Sequence, residues 1–328
     1  MLQDAIDTSV PGDIIQVIPS PDDYGNVTIN TANAGISIFG IGFIPDKDWP
    51  AKSSVNQILV YASNIRISGL RVTSFIQIGQ TSTVSQTISN ISTENSDINF
   101  ISSSADTDFV GSNILIRNCF VSLASNNTAI SLSNRISNSV ITNCIIGGAT
   151  ATTTGVGSII CHNSGVIKNN VFFGDGETNK NAFSTIENCT VSNNIFFGRE
   201  PQAVNLVNVT FNNNVSVGAD NNTLPPKTTD GITGNNNFTT LTDATLVFDD
   251  PAIVIGDTWD FNWVPTLSAT NAAILLDAGT DGTNIGPTGS TLGWDPTGVP
   301  LPLIQSVISS EVIKQGDNLD VTIKARGN

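Results

Sequence analysis

From Gly40 to Asn236 the chain repeats one phrase nine times: a large apolar residue, a polar residue, then Asn or Gly. The anchors are Gly40, Gly69, Asn90, Asn118, Asn143, Asn169, Asn193, Asn213 and Asn236, at spacings of 29, 21, 28, 25, 26, 24, 20 and 23. Two positions before them stand Ile38, Ile67, Ile88, Ile116, Ile141, Ile167, Val191, Phe211 and Gly234, so eight of nine rows carry a large apolar side chain. A recurrence of this length is the signature of a solenoid, because a unit so short buries its apolar face only against its neighbours. The local period is two: Ile65-Arg66-Ile67, Ile114-Leu115-Ile116 and Val209-Thr210-Phe211 read as short strands, not helices. Equivalent strands of successive repeats then stack in parallel at roughly 4.8 Å, and nine coils rise roughly 40 Å.

The column Asn90, Asn118, Asn143, Asn169, Asn193, Asn213 and Asn236 is expected to be a structural ladder, its amides bonding backbone groups of the coils above and below where the chain bends out of the sheet. Ahead of it, Leu2, Ala5 and Ile6 lie on one helical face before the strand-like Ile14-Ile15-Gln16-Val17. Such a helix suits the open end of a strand stack, whose unpaired edge would otherwise recruit other chains.

With its coil repeat, Asn ladder and opening helix, the sequence resembles the pectate-lyase-like superfamily over roughly residues 2 to 290. That resemblance implies an all-β, right-handed single-stranded parallel β-helix. The expected organisation is a cap helix and first strand over 1–30, ladder-bearing coils over 31–240, final coils and a closing segment over 241–298, and a linker with a short β segment over 299–328. The closing phrase Asp277-Ala278-Gly279-Thr280-Asp281-Gly282-Thr283-Asn284 resembles the end of secreted or surface β-helix proteins of Bacteroidetes. Two strands with a turn at Gln315-Gly316-Asp317-Asn318 resemble the start of a β-sandwich, which implies that the native protein continues as a larger multidomain chain; the alternative is that they pack on the helix end as a cap.

Lys and Arg number 13 against 28 Asp and Glu, giving a net charge of −15 and an isoelectric point near 4.1. That balance argues against nucleic acid as a partner. It also repels an acidic polysaccharide, except where a local basic row or a bound cation intervenes. No apolar run is long enough to span a membrane, and the first residues show no signal-peptide pattern, so the expected extracellular or cell-surface location goes either with a leader already removed or with a protein that never had one. Of the four cysteines, Cys119 and Cys144 each follow a ladder Asn and should stack on adjacent coils as free thiols; Cys161 and Cys189 have no pairing readable from sequence.

Catalytic members of this superfamily place their groups on the outer face of one sheet or in adjoining loops. The outward row just before the anchors reads Phe39, Ser68, Ser89, Arg117, Thr142, Lys168, Ser192, Asn212 and Asn235, with two cations and no carboxylate. Arg117 and Lys168, two coils apart, are the candidates for a lyase base or an anion contact. His162, Asp175 and Glu177 are the loop candidates, with Asp106 and Asp108 a further pair of acids. The polygalacturonase and methylesterase signatures are missing. Trp49, Trp259, Trp263 and Trp294 are candidates for sugar stacking. Asp277, Asp281 and Asn284 could hold Ca²⁺, although no cofactor is required by anything in the sequence. These features lead to an expected structural or glycan-binding surface module without catalysis; a polysaccharide lyase or glycoside hydrolase is the alternative, and a phage tailspike or fibre the second alternative.

Overall fold

The computed structural model describes residues 1–42, 52–80, 85–122, 128–147, 159–161, 164–174, 176, 181–202, 205–226, 229–239, 241, 247–255, 259–260, 263, 265–290 and 293–294, and the strands 303–309 and 321–326. It is an all-β parallel solenoid. One sheet contains ten parallel strands: Ile14–Gln16, Ser37–Phe39, Ile65–Ser68, Gln86–Glu94, Phe109–Arg117, Ile136–Thr142, Val166–Lys168, Thr190–Ser192, Thr210–Asn212 and Thr233–Asn235. A second sheet of fourteen strands folds into two faces, because the strand Arg71–Ile78 pairs at its start with Asp97–Ile98 and at its end with Ile101–Ser103. Each coil thus runs along the first sheet, around a tight bend, and along the second and third faces before returning.

Period two explains the core. In Ile114-Leu115-Ile116-Arg117 the isoleucines are about 1% exposed while Leu115 and Arg117 point outward. Equivalent inward residues stack coil on coil: Phe172 lies on Phe196 with ring centroids 4.9 Å apart and planes 12° from parallel. The second face is dry on both sides. Phe173 and Phe197 stack outward at 5.6 Å, and the C-terminal segment covers them with Phe248, Trp259, Leu267, Leu275 and Ile285.

The N-terminal helix Leu2–Asp7 caps the open end as expected, with Leu2 and Ile6 buried; Ala5 is exposed and takes no part. Gln3 holds the helix to the first coil by accepting from Thr28 N–H at 2.7 Å and donating to Thr28 C=O at 3.0 Å. Asn33 Nδ2 donates to Ile6 C=O at 2.7 Å. At the other end of the chain, Leu303–Ser309 and Val321–Arg326 pair as an antiparallel two-stranded sheet.

The ladder differs from its sequence reading in two ways. First, the strand register aligns Glu94 with Arg117, so Asn95, not Asn90, is equivalent to Asn118. The true spacings there are 26 and 23 residues, more even than 21 and 28. Asn90 belongs to an earlier column at the entry to the first sheet, with Asn64, Asn113, Asn138, Asn188 and Asn208. Both columns sit in the left-handed region, with φ from 51° to 60° for Asn64, Asn90, Asn113, Asn118, Asn138, Asn143 and Asn169, a conformation that Asn tolerates better than other side chains. The two sharp bends of a coil are therefore mostly held by asparagines, with Gly69, Ser164 and Asp230 taking the same left-handed conformation where asparagine is replaced.

Second, the backbone-satisfying role falls one position later, to the column of buried Asn170, Asn194 and Asn214 and half-buried Asn237. Asn194 Oδ1 accepts from Asn170 N–H and Nδ2, both at 3.0 Å, while Asn194 Nδ2 donates to Ile167 C=O at 2.9 Å and Ser192 C=O at 3.0 Å. The preceding column faces outward and holds the C-terminal segment. Asn213 Nδ2 donates to Ala278 C=O at 2.6 Å, Asn169 Nδ2 to Asn284 C=O at 3.1 Å, and Asn143 Nδ2 to Gly289 C=O at 2.7 Å. Residues 278–290 thus run back along the solenoid as a strap.

Among the described residues no helix is long and apolar enough to cross a membrane. All four cysteines are free and buried. Cys119 and Cys144 occupy equivalent rows, donating to Arg117 C=O and Thr142 C=O at 3.2 Å each. Cys161 and Cys189, unpaired in the sequence reading, meet with their sulfurs 3.9 Å apart.

Candidate functional site on the outer wall of the first sheet

The corrected register changes the wall. The last outward row reads Phe39, Ser68, Glu94, Arg117, Thr142, Lys168, Ser192, Asn212 and Asn235, so it does contain a carboxylate, which the slip to Ser89 had hidden. Glu94 is a wedge between two guanidiniums. Its Oε2 accepts from Arg117 Nη2 in a very close contact, its Oε1 lies 3.1 Å from Arg66 Nε, and Ser92 Oγ donates to it at 2.9 Å. Burial pushes the Glu94 carboxyl up, but Arg117, Arg66 and Ser92 together overcome this and hold it below the usual range. Arg66 also lies over the Phe39 ring at 5.1 Å from its centroid.

Around the bend stands a second charged group. Asp97, on the strand Asp97–Ile98, lies 3.5 Å from Arg71 Nε and 3.7 Å from Lys52 Nζ. Burial raises the Asp97 carboxyl and lowers the Lys52 ammonium, each by more than the opposite charges restore. This looser arrangement behaves as a buried pair whose desolvation exceeds its attraction.

Beside the charged row runs an outward strip of Leu115, Val140 and Val166, each half-buried. Further along, the wall turns neutral through Thr190, Thr210 and Thr233. There Asn212, Asn213, Asn235 and Asn236, with Gly279 and Thr280 of the strap, line a shallow cleft of about 380 Å³. The strap therefore forms a raised rim along one side of the wall. Its Asp281 accepts from the Thr283 hydroxyl at 2.6 Å, which more than offsets burial and, with help from Lys168, keeps the carboxyl below its usual range. Lys168 thus stands on the wall within electrostatic reach of the rim.

The other expected site residues are scattered. Trp259 and Trp294 are buried, at 4% and 8% exposure, under the strap and its neighbours. Trp263 is half-buried with its ring edge-on to Trp259 at 5.4 Å. The Trp259 and Trp263 rings pack the C-terminal segment against Phe173, and the burial of Trp259 and Trp294 leaves no open stacking face on either, which corrects the sugar-stacking expectation there. Asp277, Asp281 and Asn284 share one loop, where Asn284 Oδ1 accepts from Asp277 N–H at 3.1 Å and Asp281 is engaged by Thr283. Among the described residues no group of three His, Cys, Asp or Glu side chains converges as a metal centre. Asp106 accepts from Asp108 N–H at 3.2 Å in an exposed turn. Trp49, His162, Asp175 and Glu177 lie outside the described residues.

Fold and wall together define a parallel β-helix protein whose first sheet carries a charged outer wall. No protein-family model and no curated protein sequence matches the chain. Among solved structures it is similar to the pectate lyase Pel9A, at 17% identity and a TM-score of 0.48 with 89% of each chain covered. It is also similar to a mutant of the PL6 family alginate lyase AlyGC, at 16% identity and a TM-score of 0.39, over 72% of this chain and 39% of that one.

Proposed function

We propose that the protein is an extracellular polysaccharide-binding β-helix that holds an extended acidic glycan along the outer wall of its first sheet. The observation that carries this reading is a local inversion of charge: in a chain of net charge −15, the wall bears Arg66, Arg117 and Lys168 against the single carboxylate of Glu94. At physiological ionic strength charges beyond roughly 8 Å are largely screened. A ligand lying on the wall therefore senses this strip more than the acidic surface elsewhere. Glu94 is fully engaged by the two arginines and so acts as their organiser, setting guanidinium N–H groups toward solvent at fixed positions. The strip of Leu115, Val140 and Val166 suits the apolar faces of pyranose rings, and the amide cleft at Asn212 and Asn235 suits hydroxyl groups.

A second reading, cleavage of a uronate polysaccharide by β-elimination, is favoured by the placement of Arg117 and Lys168 on either side of Thr142 in one row, roughly 10 Å apart by strand spacing. There Arg117 would neutralise the uronate carboxylate and Lys168 would take the proton beside it as the glycosidic oxygen departs. The test is incubation of the purified chain with acidic and neutral polysaccharides, with and without Ca²⁺, following depletion of the protein and absorbance of unsaturated products. Depletion by acidic glycans that weakens with salt and with Arg117→Ala supports the binding reading. Unsaturated product lost in Lys168→Ala replaces it with the lyase, and no depletion by any acidic glycan removes both.

A further inference from the structure

Cys161 ends the strand Ile159–Cys161 on the third face, and Cys189 lies 28 residues later on the next coil, between the left-handed Asn188 and the strand Thr190–Ser192. Their sulfurs are 3.9 Å apart and buried, at 0% and 3% exposure. What brings them together is the residue between their rows. Gly165 pairs alongside Cys189 at the entry to the first sheet, and a Cβ placed on it would stand 2.5 Å from Cys161 Sγ, 3.0 Å from Cys189 Sγ and 3.1 Å from Ser139 Oγ. The glycine opens a small chamber, into which Ser139 Oγ also points at 3.0 Å from Cys161 Sγ. Two residues on in the same pair of coils, full side chains face each other at Ile167 and Val191.

We propose that Cys161 and Cys189 form an inter-coil disulfide when the protein matures in an oxidising medium. A disulfide requires about 2.05 Å between sulfurs, so the pair must close by a little under 2 Å, across a glycine that places no Cβ between them. One thiolate of the pair displaces a thiol from a small external disulfide such as oxidised glutathione, forming a mixed disulfide. The other then displaces the second thiol. One external disulfide is reduced to two thiols, one sulfur–sulfur bond forms, and the two cysteine protons pass to the released thiolates. Because both sulfurs are buried, the exchange belongs to the folding chain or to an opened coil. The bridge would lock two neighbouring coils midway along the solenoid.

The test is refolding of the full chain in a glutathione redox buffer, alkylation under denaturing conditions, and peptide mapping. The expected result is a linked peptide joining Cys161 to Cys189, with Cys119 and Cys144 alkylated. The oxidised protein should melt about 5 °C above its reduced form, and Cys189→Ala should erase that difference. Gly165→Ala, which keeps both thiols but fills the chamber, should lower the linked fraction several-fold. Four alkylated cysteines after oxidation, a Cys119 to Cys144 link in place of the expected one, or equal melting points of the two redox forms would each overturn the proposal.

Discussion

Replacing Asn194 with alanine removes the centre of the buried asparagine column while leaving the fold's apolar core intact. The lost bonds are those from Nδ2 to Ile167 C=O at 2.9 Å, Ser192 C=O at 3.0 Å and Asn214 Oδ1 at 3.1 Å, and those accepted by Oδ1 from Asn170 N–H and Nδ2 at 3.0 Å. Asn170 Nδ2 retains Ile141 C=O at 3.0 Å, but Asn170 N–H keeps no acceptor. An orphaned buried donor costs about 1–3 kcal/mol, and the weakened carbonyls with the vacated space add a comparable amount, so the expected loss is about 3–5 kcal/mol. Urea denaturation followed by circular dichroism measures the loss, and hydrogen exchange localises it: the Asn170 amide should exchange at least tenfold faster. Asn138→Gly is the control. Asn138 is exposed at φ 56°, a conformation glycine also accepts, so that change should stay within about 0.5 kcal/mol. A loss below about 1 kcal/mol for Asn194→Ala, with Asn170 protection unchanged, would refute the claim that this column satisfies the bend.

Glu94→Gln removes the only carboxylate of the charged row and should tighten acidic-polysaccharide binding about twofold, the effect of about 0.5 kcal/mol for a unit charge at roughly 8 Å in water; affinity electrophoresis reads it. Acid stability separates the two carboxylates. Glu94 has a folded pKa below its unfolded value, so its contribution is complete above about pH 4.3 and disappears as pH falls through the folded value. The stability gap between wild type and Glu94→Gln should therefore shrink on acidification. Asp97 is raised, so its contribution is favourable below about pH 3.9 and declines as pH climbs through its folded pKa; Asp97→Asn should gain relative to wild type over that rise, in urea midpoints taken across the acid range. Phe173→Ala should cost about 3–5 kcal/mol and loosen the C-terminal segment, seen as faster proteolysis after residue 238, because its ring carries Phe197, Trp259 and Trp263.

The solenoid was legible because its inward residues recur with their bends, and the helix Leu2–Asp7 because its apolar face is short and isolated. The site was less so. Ile88-Ser89-Asn90 copies the phrase Ile116-Arg117-Asn118, whereas the true equivalent, Thr93-Glu94-Asn95, puts a threonine in the aliphatic row. Most coils carry two left-handed asparagines about five residues apart, as at Asn90 and Asn95, Asn113 and Asn118, and Asn138 and Asn143, so a one-column search slides from one bend to the other. That slide removed Glu94 from the wall and hid its pairing with Arg66 and Arg117. Trp259 and Trp294 failed as surface candidates for a different reason. Nothing local in Asp257-Thr258-Trp259 states that the segment folds back over Phe173 and Phe197; only the double burial of the second face, readable in Val171-Phe172-Phe173 and Ile195-Phe196-Phe197 as strands apolar at every position, hinted that something must cover it.

The strap along Asn143, Asn169, Asn193 and Asn213 has a mechanical consequence. A solenoid whose coils touch only their neighbours frays from its ends, coil by coil, with little penalty for losing the last one. Here a single segment grips four successive coils side by side, so loosening the coil at Asn213 also strains the hold on Asn193, Asn169 and Asn143. The C-terminal half should resist an axial pull as one block and give way in a single event, while the strap-free coils before Asn118 yield stepwise.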